Sequence, residues 1–331
     1  MADVAVLGAS GYAGALAAML VYRHPHFQLA HVTARSDAGV ALEVIHPRTR
    51  VPLVLEDFDV DVHAEVDAAL VAWPHGASAP AVAALRERGV RVVDLSADFR
   101  LRDPAVYAEW YGPHAAPALI DEAVYGLTEL RRDEIAGAQL VANPGCYPTA
   151  VLLGLAPLAR EGLIGDVVID AKSGVSGAGR EPSVSTHYVS ADENVTPYKV
   201  ERHRHIPEIE QELATLGATL PITFTPHLVP LAQGELVSCY VTPAREIDDG
   251  ALAELFDAAY ADEPWVEVRL GPPGVLDVRD TNYCRISVHP DRRTGRILVF
   301  AAIDNLWKGA ASQAVQNLNL MFGRDESDGL G

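Results

Sequence analysis

Residues 3 to 7, Asp-Val-Ala-Val-Leu, run into Gly8-Ala9-Ser10-Gly11-Tyr12-Ala13-Gly14, and Ala15 to Val21 behind them are strong helix formers. A short apolar run, a G-x-x-G-x-x-G turn and a helix constrain the fold more than any other stretch of this chain. Glycines let the backbone turn tightly and approach a pyrophosphate, and the helix N-terminus directs unsatisfied N–H groups at the same point. Glycine turns also occur without ligands. The place of this one, closing the first strand and opening the first helix, marks a dinucleotide site on Gly8, Ser10, Gly11, Tyr12 and Ala13.

The second strand pattern, from Gln28, ends in Ala34-Arg35-Ser36, with no acidic residue where one would pair with a ribose 2′-hydroxyl. Arg35 and Ser36 there favour a 2′-phosphate, hence NADP(H) over NAD, although an exposed arginine is also an ordinary surface residue. Further strands, Ala69 to Trp73 and Arg91 to Leu95, alternate with helices over the first ~140 residues, the pattern of a doubly wound parallel sheet with ligands beyond the carboxyl ends of its strands. Ser96-Ala97-Asp98-Phe99-Arg100-Leu101-Arg102-Asp103 lies at such an end. Arg100 there either holds an anion or belongs to an exposed ion-pair cluster with Asp98 and Asp103.

Asn143-Pro144-Gly145-Cys146-Tyr147-Pro148-Thr149 precedes a second run of helix formers, so Cys146 falls where a turn hands over to a helix. The positive end of a helix dipole lowers a thiol pKa from its ordinary ~8.5, which makes Cys146 the candidate nucleophile; the plainer reading is a buried thiol packing as a small apolar group. Cys239 and Cys284 sit inside strand patterns and read as structural. The odd, widely spaced cysteines suit a reducing compartment rather than a disulfide framework. A net charge of -19, with no run of Lys or Arg, argues against nucleic acid or an anionic membrane as partner. The start of the chain has no signal-peptide pattern and no apolar run approaches a membrane span, so a cytoplasmic protein is expected.

Past Cys146 the regularity changes. Ser173-Gly174-Val175-Ser176-Gly177-Ala178-Gly179-Arg180 is a second small-residue loop, able to approach an anion or a cofactor or to serve only as a connection. The polar run Glu181 to Lys199 behind it reads as a lid. Arg202-His203-Arg204-His205 then opens a helix, placing imidazoles fit for acid–base work beside guanidinium groups. His203 and His205 are two apart with no convincing third ligand nearby, so no metal is expected. Strands around Cys239 and Cys284, a hairpin turn at Asp291 to Gly295 and a last helix from about Leu306 complete an α+β second half.

The stretches GASGYAG, DLSADFR, NPGCYPTA, SGVSGAGR, YKVERHRHIPEIEQ and DNLWKGAASQAVQN, in this order from Gly8 to Asn317, closely resemble the N-acetyl-gamma-glutamyl-phosphate reductase family, relatives of the aspartate-semialdehyde dehydrogenases. One departure is Ser312, where such sequences commonly read Gly. The resemblance implies a Rossmann-type domain over residues 1–145 completed by the last helix, 306–331, and a catalytic and oligomerisation domain over 146–305. It implies NADPH-dependent reduction of a small acyl phosphate through a thioester on Cys146, with His205 as acid–base and His203 as alternate. It further points to Arg100, Arg180, Arg202 and His203 for substrate, Ser173, Gly174 and Gln313 for cofactor, and a homodimer or homotetramer. A relative acting on a carrier-tethered aminoadipyl phosphate is disfavoured by PGCYPT in place of AGCNAT; a redox sensor switching through Cys146 without turnover is the reading from another class.

Overall fold

Val4, Ala5, Val6 and Leu7 are fully buried in β1 (Ala2–Leu7), as are all four residues of β3 (Ala68–Val71). Strands buried on both faces belong to a parallel sheet covered on either side by helices. A computed structural model of the chain describes all 331 residues and shows that sheet. With β2 (Phe27–Thr33), β4 (Arg91–Asp94), β5 (Val124–Tyr125) and β6 (Leu140–Ala142) it runs β2-β1-β3-β4-β6-β5, every pair parallel. The order reverses between β1 and β3, the point at which such sheets open a crevice for ligand, and the glycine turn leaves β1 there.

The chain divides into two compact units, Met1–Gly145 with Ala310–Gly331, and Cys146–Gly309. In the first, the returning helix Ser312–Met321 is buried along most of its length and carries polar side chains inward. Asn317 Nδ2 donates to Gly126 O (2.8 Å) and Asn143 Oδ1 (3.1 Å), its Oδ1 accepts from Thr128 Oγ1 (2.8 Å), and Asn143 Nδ2 donates to Ala310 O (3.1 Å). Gly126 must be glycine, because a Cβ would stand 2.6 Å from Asn317 Nδ2. The last helix is shorter than the 306–331 that the resemblance implies. A π-helical turn, Trp307–Ala311, precedes it, and it stops at Met321, where Gly323 turns with φ +63. The remaining residues, expected to be helical, are instead held by Asn319 Nδ2, which donates to the carbonyls of Glu326 and Asp328.

In the second unit, β7 (Ile164–Gly174), β8 (Thr196–Pro197), β9 (Thr223–Val229), β10 (Glu235–Pro243), β11 (Val266–Val268), β12 (Cys284–Asp291) and β13 (Arg296–Ile303) form a mixed sheet in the order β11-β12-β13-β10-β7-β9-β8. The hairpin expected at Asp291 to Gly295 joins β12 to β13. Helix Cys146–Arg160, buried at nearly every position, packs on β10 and β13, with Gly154 close against Val299 and Ala301. Pro148 in its first turn forfeits no helical hydrogen bond. Alternation gives the helix Val237, Cys239, Val241, Val299 and Ala301, all buried. It leaves Val168, Leu236, Tyr240, Leu298 and Phe300 half-buried on the opposite face of the sheet. Cys239 and Cys284 are buried free thiols of this core, and burial pushes Cys239 up to about 12. No helix is long and apolar enough to cross a membrane.

Candidate active site

The glycine turn fits a dinucleotide. Gly8 has φ +84, and a Cβ on it would lie 2.7 Å from Ala72 O at the end of β3; a Cβ on Gly14 would lie 2.2 Å from Gly8 O. Those two glycines let strand and helix approach. Gly11, with only Gly8 O at 3.5 Å from its would-be Cβ, keeps room for a ligand instead. It is the N-cap of helix Tyr12–Arg23 and, having no side chain, makes no capping bond to the first-turn N–H groups. Beside the turn, the carbonyl of Ser10 accepts from His46 Nε2 at 2.8 Å. Arg35 and Ser36 are exposed just past β2, and Gln313 is fully buried in the first turn of the last helix.

The DLSADFR stretch is more structural than its sequence suggests. Asp94 is fully buried and accepts from Ser78 Oγ and Ser96 Oγ at 2.6 Å each; burial, opposed by these bonds, lifts it to about 6. Asp98, also fully buried, accepts from Gly76 N, Ala79 N and Tyr107 Oη, holding the entry of helix Ser78–Glu87. Asp103 caps the next helix through Ala105 N. Arg100 is 8 % exposed, and its Nε and one Nη donate to Asn143 O and Leu95 O at 2.8 Å. The alternative of an exposed ion-pair cluster therefore fails for Asp98 and Arg100. Arg100 instead ties the carbonyl three residues before Cys146 to the end of β4.

In the second unit, Cys146 opens its helix half-buried, the one cysteine with access to solvent. Glu235, fully buried at the start of β10, lies next to the Cys146 thiol, and neither of its carboxyl oxygens has a hydrogen-bond partner. Burial dominates and raises its carboxyl to about 8, with Asp304 adding repulsion and the thiol opposing. Glu235 is thus protonated at neutral pH, and a neutral acid beside the sulfur does not repel a thiolate. Gly309 closes the other side, since a Cβ there would stand 2.8 Å from Cys146 Cβ.

Tyr147, directly after the cysteine, is buried in an aromatic box. Its ring meets His203, His205 and Phe224 edge-on at 5.7, 5.9 and 5.4 Å, and Tyr198 Oη donates to its hydroxyl at 3.4 Å. His203 and His205 lie 4.7 Å apart by ring centroid but in different environments. His203 is 7 % exposed, its Nδ1 accepts from His205 N, and burial, then repulsion from His205, Lys199 and Arg204, lowers it to about 2. His205 keeps partial access at the mouth of helix Ile206–Thr215.

The Ser173–Arg180 loop is tied down at its root. Gly174 N, Val175 N and Ser176 N donate to the carbonyls of Gly234, Leu231 and Ala232, and Asn305 bridges Ser176 Oγ to Gly234 N. Ser173 and Gly174 are buried in this root; Arg180 and Arg202 are exposed. The run expected as a lid is solvent-facing, with Val184 87 % and Val189 79 % exposed. The structure thus brings Cys146, His203 and His205 around Tyr147. It adds Glu235, Asp304 and Asn305, whose one sequence signal is a charged or polar residue bordering an apolar strand, and Gly309, a small residue in a helical turn.

Glu235 sets a pH dependence of stability. Its folded pKa is raised above the ordinary 4.5, so its contribution is full below about 4.5 and is lost as pH rises through about 8. Wild type should lose on the order of a few kcal/mol across that window, and Glu235→Gln, which keeps the shape without the titration, should flatten it. Urea unfolding of both proteins at pH 5 and pH 9 measures this; equal losses in the two would remove Glu235 as the cause.

Residues 3–138 match the family model described as semialdehyde dehydrogenase, NAD binding domain, and residues 146–305 that of the semialdehyde dehydrogenase dimerisation domain. The chain is 48% identical to an N-acetyl-gamma-glutamyl-phosphate reductase of Geobacillus stearothermophilus and 50% identical to one of Desulforudis audaxviator, each over 100% of this chain and 98% of the relative. Its fold is that of aspartate semialdehyde dehydrogenase II from Vibrio cholerae (TM-score 0.75, 20% identity, 98% of each chain covered). The same fold occurs in the Candida albicans aspartate semialdehyde dehydrogenase solved with NADP (TM-score 0.69, 15% identity, 97% and 98% covered). The parallel-sheet unit is therefore a nicotinamide-dinucleotide domain and the mixed-sheet unit a dimerisation domain. End-to-end matches of this strength place the chain in the semialdehyde dehydrogenase family, among its N-acetyl-gamma-glutamyl-phosphate reductases.

Proposed function

We propose that this protein reduces N-acetyl-gamma-glutamyl phosphate to N-acetylglutamate 5-semialdehyde with NADPH, a step of arginine biosynthesis, through a thioester on Cys146. The observation that carries this is the half-buried helix-terminal thiol beside the fully buried Glu235 carboxyl, with a partly exposed imidazole packed on the next residue. The Cys146 thiolate attacks the acyl carbon, and phosphate leaves with the anhydride oxygen. Gly8, Ser10, Gly11, Tyr12 and Ala13, with Ser173, Gly174 and Gln313, would hold the nicotinamide cofactor, which when bound would supply the hydride that reduces the thioester carbonyl carbon. His205 takes the thiol proton, returns a proton as needed, and steadies the thiolate when the C–S bond breaks and aldehyde leaves. His203, kept neutral by burial, orients this box and lines the substrate side. Arg180 and Arg202, exposed, are the cations available to the substrate's anionic groups. Arg100 acts at the site through the Asn143 carbonyl.

Arg35 and Ser36 receive the 2′-phosphate. The half-buried apolar face of Val168, Leu236, Tyr240, Leu298 and Phe300 is the surface through which the chain forms a homodimer or homotetramer. The test is phosphate-dependent reduction of NADP+ by N-acetylglutamate semialdehyde, run beside NAD+. NADP+ should be preferred, and Arg35→Asp should shrink that preference about 10- to 100-fold, the worth of one charge-assisted contact to phosphate. No turnover of this aldehyde, or equal kcat/KM for both nucleotides in wild type, rejects the substrate or the 2′-phosphate assignment respectively.

A further inference from the structure

In the first unit, three potential ligands converge where the sequence spacing shows none. His31 lies on β2, Glu56 on a segment that pairs with the end of that strand, and His63 on the short helix Val60–His63. Glu56 Oε2 is 3.0 Å from His31 Nδ1 and 2.8 Å from His63 Nε2, and all three donor atoms lie within 4.8 Å of one another. The backbone fixes this arrangement: Glu56 N donates to Val32 O and Ala34 N donates to Glu56 O. No residue of the glycine turn takes part.

The proton positions point to a cation. His63 is 2 % exposed, and its Nδ1 is 2.7 Å from the carbonyl of Asp59, closer than the 3.1 Å to Asp59 N. A carbonyl cannot donate, so Nδ1 carries a proton, and the 2.8 Å contact at Nε2 requires a further proton between that nitrogen and Glu56, the place a cation can take. An outer carbonyl that fixes a histidine tautomer with the other nitrogen aimed at a carboxylate is the usual support of a metal ligand. His31 brings a second imidazole nitrogen to the same oxygen. Four-coordinate zinc at about 2.0–2.2 Å needs donors about 3.3–3.5 Å apart, so the carboxylate has to withdraw by a few tenths of an ångström. Side chains 44% (Glu56) and 26% (His31) exposed leave room for that and for a water as fourth ligand. The net charge of -19 favours cation capture in general.

We propose that His31, Glu56 and His63 form a binding site for one divalent ion of the zinc class, two imidazoles and a carboxylate with one position open to water. The ion replaces the proton between His63 Nε2 and Glu56 and ties the Glu56–His63 segment to β2, just before Arg35.

The test titrates Zn2+ alone into the full-length, untagged chain, with Cys146 first blocked by iodoacetamide so that its thiol does not compete, and follows the heat of binding. One saturable equivalent is expected. His31→Gln and Glu56→Gln, both at partly exposed positions and checked for folding by circular dichroism, should each weaken binding at least about 10-fold, the lower bound for disturbing even an outer partner of a metal ligand. Anomalous scattering at the zinc edge should place the ion among the three side chains. Absence of saturable binding to the blocked wild type, affinity unchanged in His31→Gln, or an anomalous peak elsewhere overturns the proposal.

Discussion

Cys146→Ser should lower kcat by at least ~10⁴-fold while leaving the affinity for NADPH within a few-fold of wild type. A serine hydroxyl at the same helix terminus stays protonated at neutral pH, and its neighbour Glu235, itself protonated, cannot serve as the missing base. The glycine turn proposed for the nucleotide is built from β1 and its helix, with no part taken from the Cys146 helix. Nucleotide binding by quenching of protein fluorescence, read beside kcat, separates the two effects. Appreciable turnover in the serine variant would end the covalent route, and loss of both turnover and binding would mean that the substitution had disturbed the fold.

The two histidines should part by two orders of magnitude. His205→Asn is expected to reduce kcat ~10²–10⁴-fold, the usual worth of a positioned acid–base group. It should also slow alkylation of Cys146 and move its pH profile upward, because a nearby imidazolium stabilises the thiolate. His203 cannot do this work near neutrality: burial holds it uncharged far below pH 7, with Nδ1 already accepting from His205 N. His203→Asn should act mainly on KM, with a small loss of kcat from loosened packing around Tyr147. The check is kcat together with iodoacetamide rate against pH for both variants. A larger kcat loss and the shifted profile in His203→Asn would reverse the roles.

What the sequence made legible was local. Strand, glycine turn and helix at Gly8–Gly14, the helix opening at Cys146 and the turn at Asp291–Gly295 each declare themselves within a dozen residues. Their chemistry depends on backbone that those same residues shape. Glu235 did not declare itself: a charge at the head of an apolar strand becomes a buried acid only because β10 pairs in register with β7 and β13, residues far away in the chain. Gly309 reads as a small residue in a helix until its closeness to Cys146 Cβ is seen. The plainer alternative for Arg100, an exposed ion pair with Asp98, fails because both are buried, and partners such as the Ala79 amide and the Asn143 carbonyl are backbone groups that carry no sequence signal. His203 and His205 were separable only by burial. The bounds 306–331 carried the last helix too far because Gly323 and the side-chain hold of Asn319 on the following carbonyls stop it at Met321.

The divided first unit has a consequence for synthesis on the ribosome. Its sheet is finished by Ala142, but the helix that supplies Asn317 comes only after the whole of Cys146–Gly309 has been made. At roughly 5–20 residues per second that is a wait on the order of ten to thirty seconds. During it the Gly126 carbonyl, the Thr128 hydroxyl and the Asn143 amide lack their Asn317 partner, and the apolar surface that Ala314, Val315 and Leu318 will cover lies open. The second unit, continuous in sequence, can close first. The nucleotide-binding unit, begun earlier, becomes whole only when the last twenty or so residues leave the exit tunnel, so a nascent chain stalled short of them carries the Cys146 thiol without a completed cofactor domain.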